Sequence, residues 1–160
     1  DAARQVDHTL FWMDADMVCH TPIDTDSIDQ LTPESYGISF LGRERKFTEC
    51  GLYALNMTQP ATREFVEQFQ WQYDNAEQGI FTMKEWNDCW VFDRVREQIQ
   101  AKHPEWQQLN WSAGLIKGEG HPLINTEWGK YLDHLKGQRK DLGRSKSNDL
   151  IQSRNEDYWR

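Results

Sequence analysis

Leu10-Phe11-Trp12-Met13-Asp14-Ala15-Asp16-Met17-Val18 is an apolar run that delivers two aspartates one residue apart. Four large apolar side chains in a row read as a buried strand. Alternate side chains of a strand share a face, so the spacing predicts that both carboxylates point the same way at the strand's end. Two hard oxygen donors there suit Mg²⁺ or Mn²⁺, and an ion so placed most simply holds a phosphate or diphosphate. The pair itself is a weak signal, because 14 aspartates in 160 residues give about one Asp-x-Asp by chance. Asp24-Thr25-Asp26 is a second instance, and it follows Thr21-Pro22-Ile23 rather than an apolar run. It reads as a turn or helix start. The run ahead of Asp14 therefore carries the inference, against the plainer reading of strand-end carboxylates facing water.

Composition sets the bounds. The chain of 160 residues reads as a single domain over 1–160, large enough for a core. Apolar residues make up only 38% and mean hydropathy is -0.87. Eight Trp, seven Phe and five Tyr compensate, since each aromatic buries a large area. A net charge of -8 argues against a general nucleic-acid partner. No stretch reads as a membrane span or a signal peptide. Cys19, Cys50 and Cys89 are odd in number and lack zinc-site spacing, so they read as reduced thiols of a cytoplasmic protein. Cys50 and Cys89 stand beside candidate site residues but read as small buried side chains.

Along the chain, residues 1–8 read as a helix end or linker and 9–13 as the first strand. A short helix is expected over Asp26–Leu31, a strand over Tyr36–Leu41, a charged turn over Gly42–Lys46 and a strand over Gly51–Asn56. Residues 60–74 are predicted helical, with Pro60 in the first turn and Phe65, Phe69 and Tyr73 every four residues. A second helix is expected from about Asn87 to Lys102, striped by Trp90, Val91, Val95 and Ile99 and stopped by Pro104. Residues 105–125 look irregular, with short strands near Leu109–Trp111 and Leu115–Lys117. The last 35 residues carry no clear pattern, and 147–160 read as a polar C-terminal tail.

A second constellation lies far downstream. His134-Leu-Lys-Gly137-Gln-Arg-Lys140 fits His-x-x-Gly-x-x-Lys, a pattern expected by chance about 0.02 times in this composition. An imidazole can complete a Mn²⁺ site begun by carboxylates. Gly137 lets the backbone approach a phosphate, and Lys140 supplies a point charge to it. A solvated basic turn with His134 on its rim is the plainer alternative.

An Asp-x-Asp after an apolar strand, followed by His-x-x-Gly-x-x-Lys, resembles the metal-dependent GT-A glycosyltransferases, in particular the glycogenin-like and lipopolysaccharide galactosyltransferase family. The resemblance covers about residues 9–146 and implies an α/β GT-A-like nucleotide-diphospho-sugar transferase domain. It implies Mn²⁺ (or Mg²⁺) on Asp14, Asp16 and His134, with Gly137 and Lys140 holding the diphosphate of a nucleotide sugar. Glu49-Cys50-Gly51-Leu52-Tyr53-Ala54-Leu55-Asn56 is similar to the family's strand that begins with a small residue and Gly and ends in Asn. Asn87-Asp88-Cys89-Trp90 takes the place of the family's Asp-Gln-Asp element facing sugar and acceptor. Glu49 and Asp88 are thus the expected catalytic carboxylates, as base or as stabilisers of developing positive charge. The chain departs from the family where Lys140 is followed by Asp141-Leu142 instead of Pro-Trp. The family's nucleotide-binding βαβ half is expected ahead of the Asp-x-Asp, and 13 residues precede Asp14 here. That half is expected on another chain or to be missing.

Two other readings stay open on the residues. The run Leu10–Val18 also fits the first motif of a haloacid-dehalogenase-type phosphatase, with Asp14 as nucleophile and Asp16 as general acid. That reading requires repeated parallel strand–helix units and leaves His134–Lys140 unexplained. The third reading is a non-catalytic carbohydrate-binding module, using tryptophans such as Trp86 and Trp90 to stack on sugar rings. The acceptor, whether glycan, protein or small molecule, is not specified by the sequence.

Overall fold

Lys46–Asn56 is the spine of the fold, an eleven-residue strand (β4) buried from Thr48 to Asn56. The computed structural model describes residues 6–115 and 121–160, which form a mixed α/β structure. On one side of β4 lies β1 (Thr9–Met13), antiparallel, with Met13 opposite Leu52. On the other side lies β3 (Ile38–Arg43), also antiparallel. Beyond it β5 (Gln108–Asn110) runs parallel to β3, so the sheet order is β1-β4-β3-β5. A separate two-stranded ribbon pairs β2 (Met17–Cys19) antiparallel with β6 (Leu132–His134).

One face of the sheet packs on α2 (Pro60–Asp74) and α3 (Asp88–Lys102). Phe65 from α2 and Val91, Phe92, Val95 and Ile99 from α3 meet Ile38, Phe40, Tyr53 and Leu55 there. α3 starts where the Asn87 side chain accepts a hydrogen bond from Trp90 N. Leu41 and Leu52 reach the opposite face and pack on Leu123, Ile124, Trp128 and Leu132. They do so by ordinary alternation, whereas the partner of β3 jumps from Tyr53 opposite Phe40 to Glu49 opposite Leu41, so that β4 bulges between them and Glu49 turns to the face opposite Tyr53. A bulge inserts residues into one strand and so reverses the in–out alternation beyond it. α1 (Thr25–Leu31) is capped by Asp24, whose side chain accepts from Ser27 N at 2.8 Å. No described helix is long and apolar enough to cross a membrane.

Several expectations are corrected. β1 is the edge of its sheet rather than a buried strand: Trp12 and Met13 are more than half exposed. The expected charged turn within Gly42–Lys46 is present, with Arg43 and Lys46 paired across the hairpin. The strand expected at Leu109–Trp111 runs from Gln108 to Asn110. Leu115 lies in no strand, while Ile116 and Lys117, like residues 1–5, fall outside the described residues. The segment 147–160 packs back on the body instead of trailing as a tail: Trp159 Nε1 donates to Gly129 O at 2.8 Å, and the Tyr158 ring stacks on His20 at 3.8 Å.

Candidate metal centre

Asp14 and Asp16 come together through a turn, not through strand alternation. β1 ends at Met13, Asp14 N donates to Gly51 O, and Met17 N donates back to Asp14 O. The chain then enters β2, whose Met17 pairs with His134. Leu135 N donates to Asp16 O at 3.0 Å and closes the ladder. Thus a three-residue ribbon carries His134 to residues that precede it in sequence by more than a hundred positions.

The result is a cluster of Asp14, Asp16 and His134 whose donor atoms all lie within 4.8 Å of one another. His134 Nε2 is 3.0 Å from Asp16 Oδ1 and 3.6 Å from Asp14 Oδ2. The imidazole is buried, at 1% exposure, whereas both carboxylates remain open to solvent on one side. A rigid nitrogen with two accessible carboxylates is a donor set that Mn²⁺ or Mg²⁺ can use, with room for further oxygen ligands.

Lys140 Nζ lies 3.1 Å from Asp16 Oδ2. Partial burial works to raise the Asp16 carboxyl pKa, but the Lys140 hydrogen bond and the charges of His134 and Lys140 outweigh it and hold it below the ordinary value. Gly137 has φ +63°, in the left-handed region, and starts the turn into α4 (Arg139–Leu142) that presents Lys140. Arg139 is held elsewhere, by Asp149 at 2.7 Å.

Glu49 does not share the cleft with the two aspartates. It is 4% exposed and sits behind the imidazole, its Oε1 3.6 Å from His134 Nδ1. The same oxygen accepts from Lys136 Nζ at 3.2 Å, and Arg43 approaches the other oxygen at 3.5 Å. Its neighbour Thr48 is fixed by Asp93 of α3, which accepts from both the Thr48 N–H and hydroxyl. A carboxylate behind an imidazole can set its ring orientation and tautomer, and Glu49 is placed to do this for His134. The β4 bulge that turns Glu49 toward the imidazole is invisible in the alternation pattern.

Gly51 also lies against the Nδ1 edge of the ring. A Cβ at that position would meet His134 Cε1 at 2.5 Å and Nδ1 at 2.7 Å. Gly51→Ala is therefore expected to displace the imidazole. It should cost about 1–3 kcal/mol in overpacking and weaken the stabilisation that Mn²⁺ gives in thermal denaturation. An unchanged Mn²⁺ effect would mean that the ring need not stay where it is.

Behind the centre lies a second buried network that sequence reasoning missed entirely. Asp133 of β6 is 0% exposed and accepts from Ser145 N at 2.7 Å, Ser145 Oγ at 2.6 Å and Tyr158 OH at 2.9 Å. His121 Nε2 sits 2.6 Å from Ser145 Oγ, and its ring packs edge-on to His134. Serine and aspartate both face the same imidazole nitrogen, so this is a structural tie and not a nucleophile–base–acid relay.

Asp88 stands at the first turn of α3, exposed, and its charge reaches the Tyr53 phenol together with that of Asp14. Trp86 is 59% exposed against Phe81, whereas Trp90 is partly enclosed by Phe47 and Arg94. Trp106 and Trp128 are core residues. A hollow of about 1060 Å³ opens at the β3–β4 turn among Arg43, Arg45 and Arg96 and includes none of the candidate ligands. Compared with protein families, curated proteins and solved structures, the chain matches none.

Proposed function

We propose that this chain is a metal-dependent glycosyltransferase domain of the GT-A type that moves a sugar from a nucleotide diphosphate donor to an acceptor hydroxyl. The observation that carries the reading is the meeting of two independent motifs. Asp14-x-Asp16 and His134-x-x-Gly137-x-x-Lys140 converge so that one carboxylate, Asp16, touches the imidazole and the ammonium of the other motif. A solvated basic turn gives no reason for His134 to be buried against those aspartates.

The chain's own groups divide the work. Asp14, Asp16 and His134 would hold Mn²⁺ or Mg²⁺, an ion that supplies neutralisation of charge on the departing diphosphate when bound. Glu49 and Gly51 keep the imidazole aimed. Lys140 is 60% exposed and pairs with Asp16 where a cation would compete for the same oxygen. Released, it reaches a diphosphate at the same cleft mouth. The left-handed turn at Gly137 leaves open space beside the backbone for that anion. Asp88 and Trp86 supply a carboxylate and an exposed ring suited to the acceptor side.

The phosphatase reading gains no support from the topology. β1, which would carry the nucleophile, is an edge strand whose described neighbour is antiparallel, and among the described residues the single parallel pair is β3 with β5.

Calorimetric titration of nucleoside diphosphate against nucleoside tests the proposal. Lys140→Ala is expected to weaken diphosphate binding by about 1–3 kcal/mol, the worth of a charge-assisted hydrogen bond, and to leave nucleoside binding unchanged. Equal loss for both ligands would remove Lys140 from the diphosphate site. Turnover of an aryl phosphate with Mg²⁺, abolished by Asp14→Asn, would overturn the transferase reading in favour of the phosphatase.

A further inference from the structure

Cys50 of β4, Cys89 of α3 and Asp88 form a second cluster, with one ligand-type atom from each lying within 4.8 Å of the others. We propose that this cluster is a binding site for a thiophilic divalent cation of the Zn²⁺ class, separate from the aspartate–histidine centre.

Tetrahedral zinc with Zn–S of about 2.3 Å places two thiolate sulfurs about 3.8 Å apart, so the observed spacing needs only small side-chain adjustments. Cys50 is 4% exposed and set in the sheet, which fixes one donor. Cys89 is half-buried and Asp88 exposed, which leaves a route from solvent to the site and a fourth position open to water.

Charge favours the same assignment. Binding releases the thiol protons to solvent and leaves M²⁺ with two thiolates and one carboxylate, a net charge of -1. Asp88 and Cys89 lie in the first turn of the fifteen-residue α3. That end of a helix stabilises negative charge. The Lys136 ammonium also lies close enough to interact with Cys89.

Donor softness then sorts the ions. Mn²⁺ and Mg²⁺ prefer carboxylate and imidazole at Asp14, Asp16 and His134; Zn²⁺, Cd²⁺ and Co²⁺ gain more from thiolates. An ion at Cys50 and Cys89 clamps the start of α3 to β4 and takes Asp88 as a ligand.

The test is titration of the reduced protein with Co²⁺, followed by ultraviolet–visible absorption. A thiolate-to-metal charge-transfer band that saturates at one equivalent is expected. It should persist in Asp16→Asn and Cys19→Ser, vanish in Cys89→Ser, and require at least tenfold more Co²⁺ in Asp88→Asn. Circular dichroism checks that each variant is folded. Asp88 is exposed, so its variant decides the matter even if Cys89→Ser fails to fold. Absence of the band, its survival in folded Cys89→Ser, or an unchanged midpoint in Asp88→Asn would overturn the proposal.

Discussion

Mn²⁺ is expected to raise the melting temperature of this protein, and Asp16→Asn is expected to erase the rise. An ion that binds only the folded state, present at a hundred times its dissociation constant, stabilises by about 2.7 kcal/mol. For a chain of this size that is a shift of roughly 5–10 °C. Asp16 is the residue to change because both of its oxygens are engaged, one at His134 and one at Lys140. The amide keeps the shape and removes the charge that a cation needs. A full Mn²⁺ shift in Asp16→Asn, measured by scanning calorimetry, would take Asp16 out of the site.

Asp133→Asn is expected to be the most destabilising single change in the region, at about 3–5 kcal/mol, the usual cost of breaking a buried charged network. The variant leaves His121, Ser145 and Tyr158 facing an amide that cannot accept from all of them. Burial works to raise the Asp133 carboxyl pKa, but hydrogen bonds from His121, Ser145 and Tyr158 overcome it and hold the group well below the ordinary carboxylate range. The sign follows. The unfolded aspartate titrates near about 3.9, above the folded group, so folding favours the ionised form. This stabilisation is complete above about pH 5 and drains away as pH falls through 4 and below. Denaturant titrations of wild type and Asp133→Asn should therefore differ most near neutral pH and converge in acid. A constant difference across that range would show that the carboxylate charge is not what matters.

The sheet and the two long helices were readable because each is long enough to show its period. Phe65, Phe69 and Tyr73 mark α2, and Asn87 and Pro104 bracket α3. Leu10–Met13 was readable as a strand but not as an edge strand, since an apolar run does not say what covers it. β2 and β6 have three residues each, too few for any alternation to register. Yet their pairing of Met17 with His134 is what assembles the candidate centre. The members of that centre were therefore legible from two motifs, while the means of joining them was not. Glu49 was visible as a carboxylate near the site, and its position behind the imidazole depends on the β4 bulge. Cys50, Asp88 and Cys89 were noticed singly; only the packing of α3 on β4 makes them a group.

The two clusters lie on the same stretch of β4. Glu49 backs His134, Cys50 faces Cys89 and Gly51 makes room for the imidazole, all in three consecutive residues. A change in this tripeptide is thus expected to disturb metal binding of both kinds at once, whereas changes at Lys140 or Asp88 should separate them.

The most direct test of the central claim is pulsed electron paramagnetic resonance of the Mn²⁺-loaded protein, without and with a nucleoside diphosphate. The expected result is a hyperfine coupling from one directly bound imidazole nitrogen, absent in His134→Ala, joined by a phosphorus coupling when the nucleotide is added. Mn²⁺ bound with no nitrogen coupling, or a nucleotide that binds with no phosphorus coupling to the ion, would contradict the account.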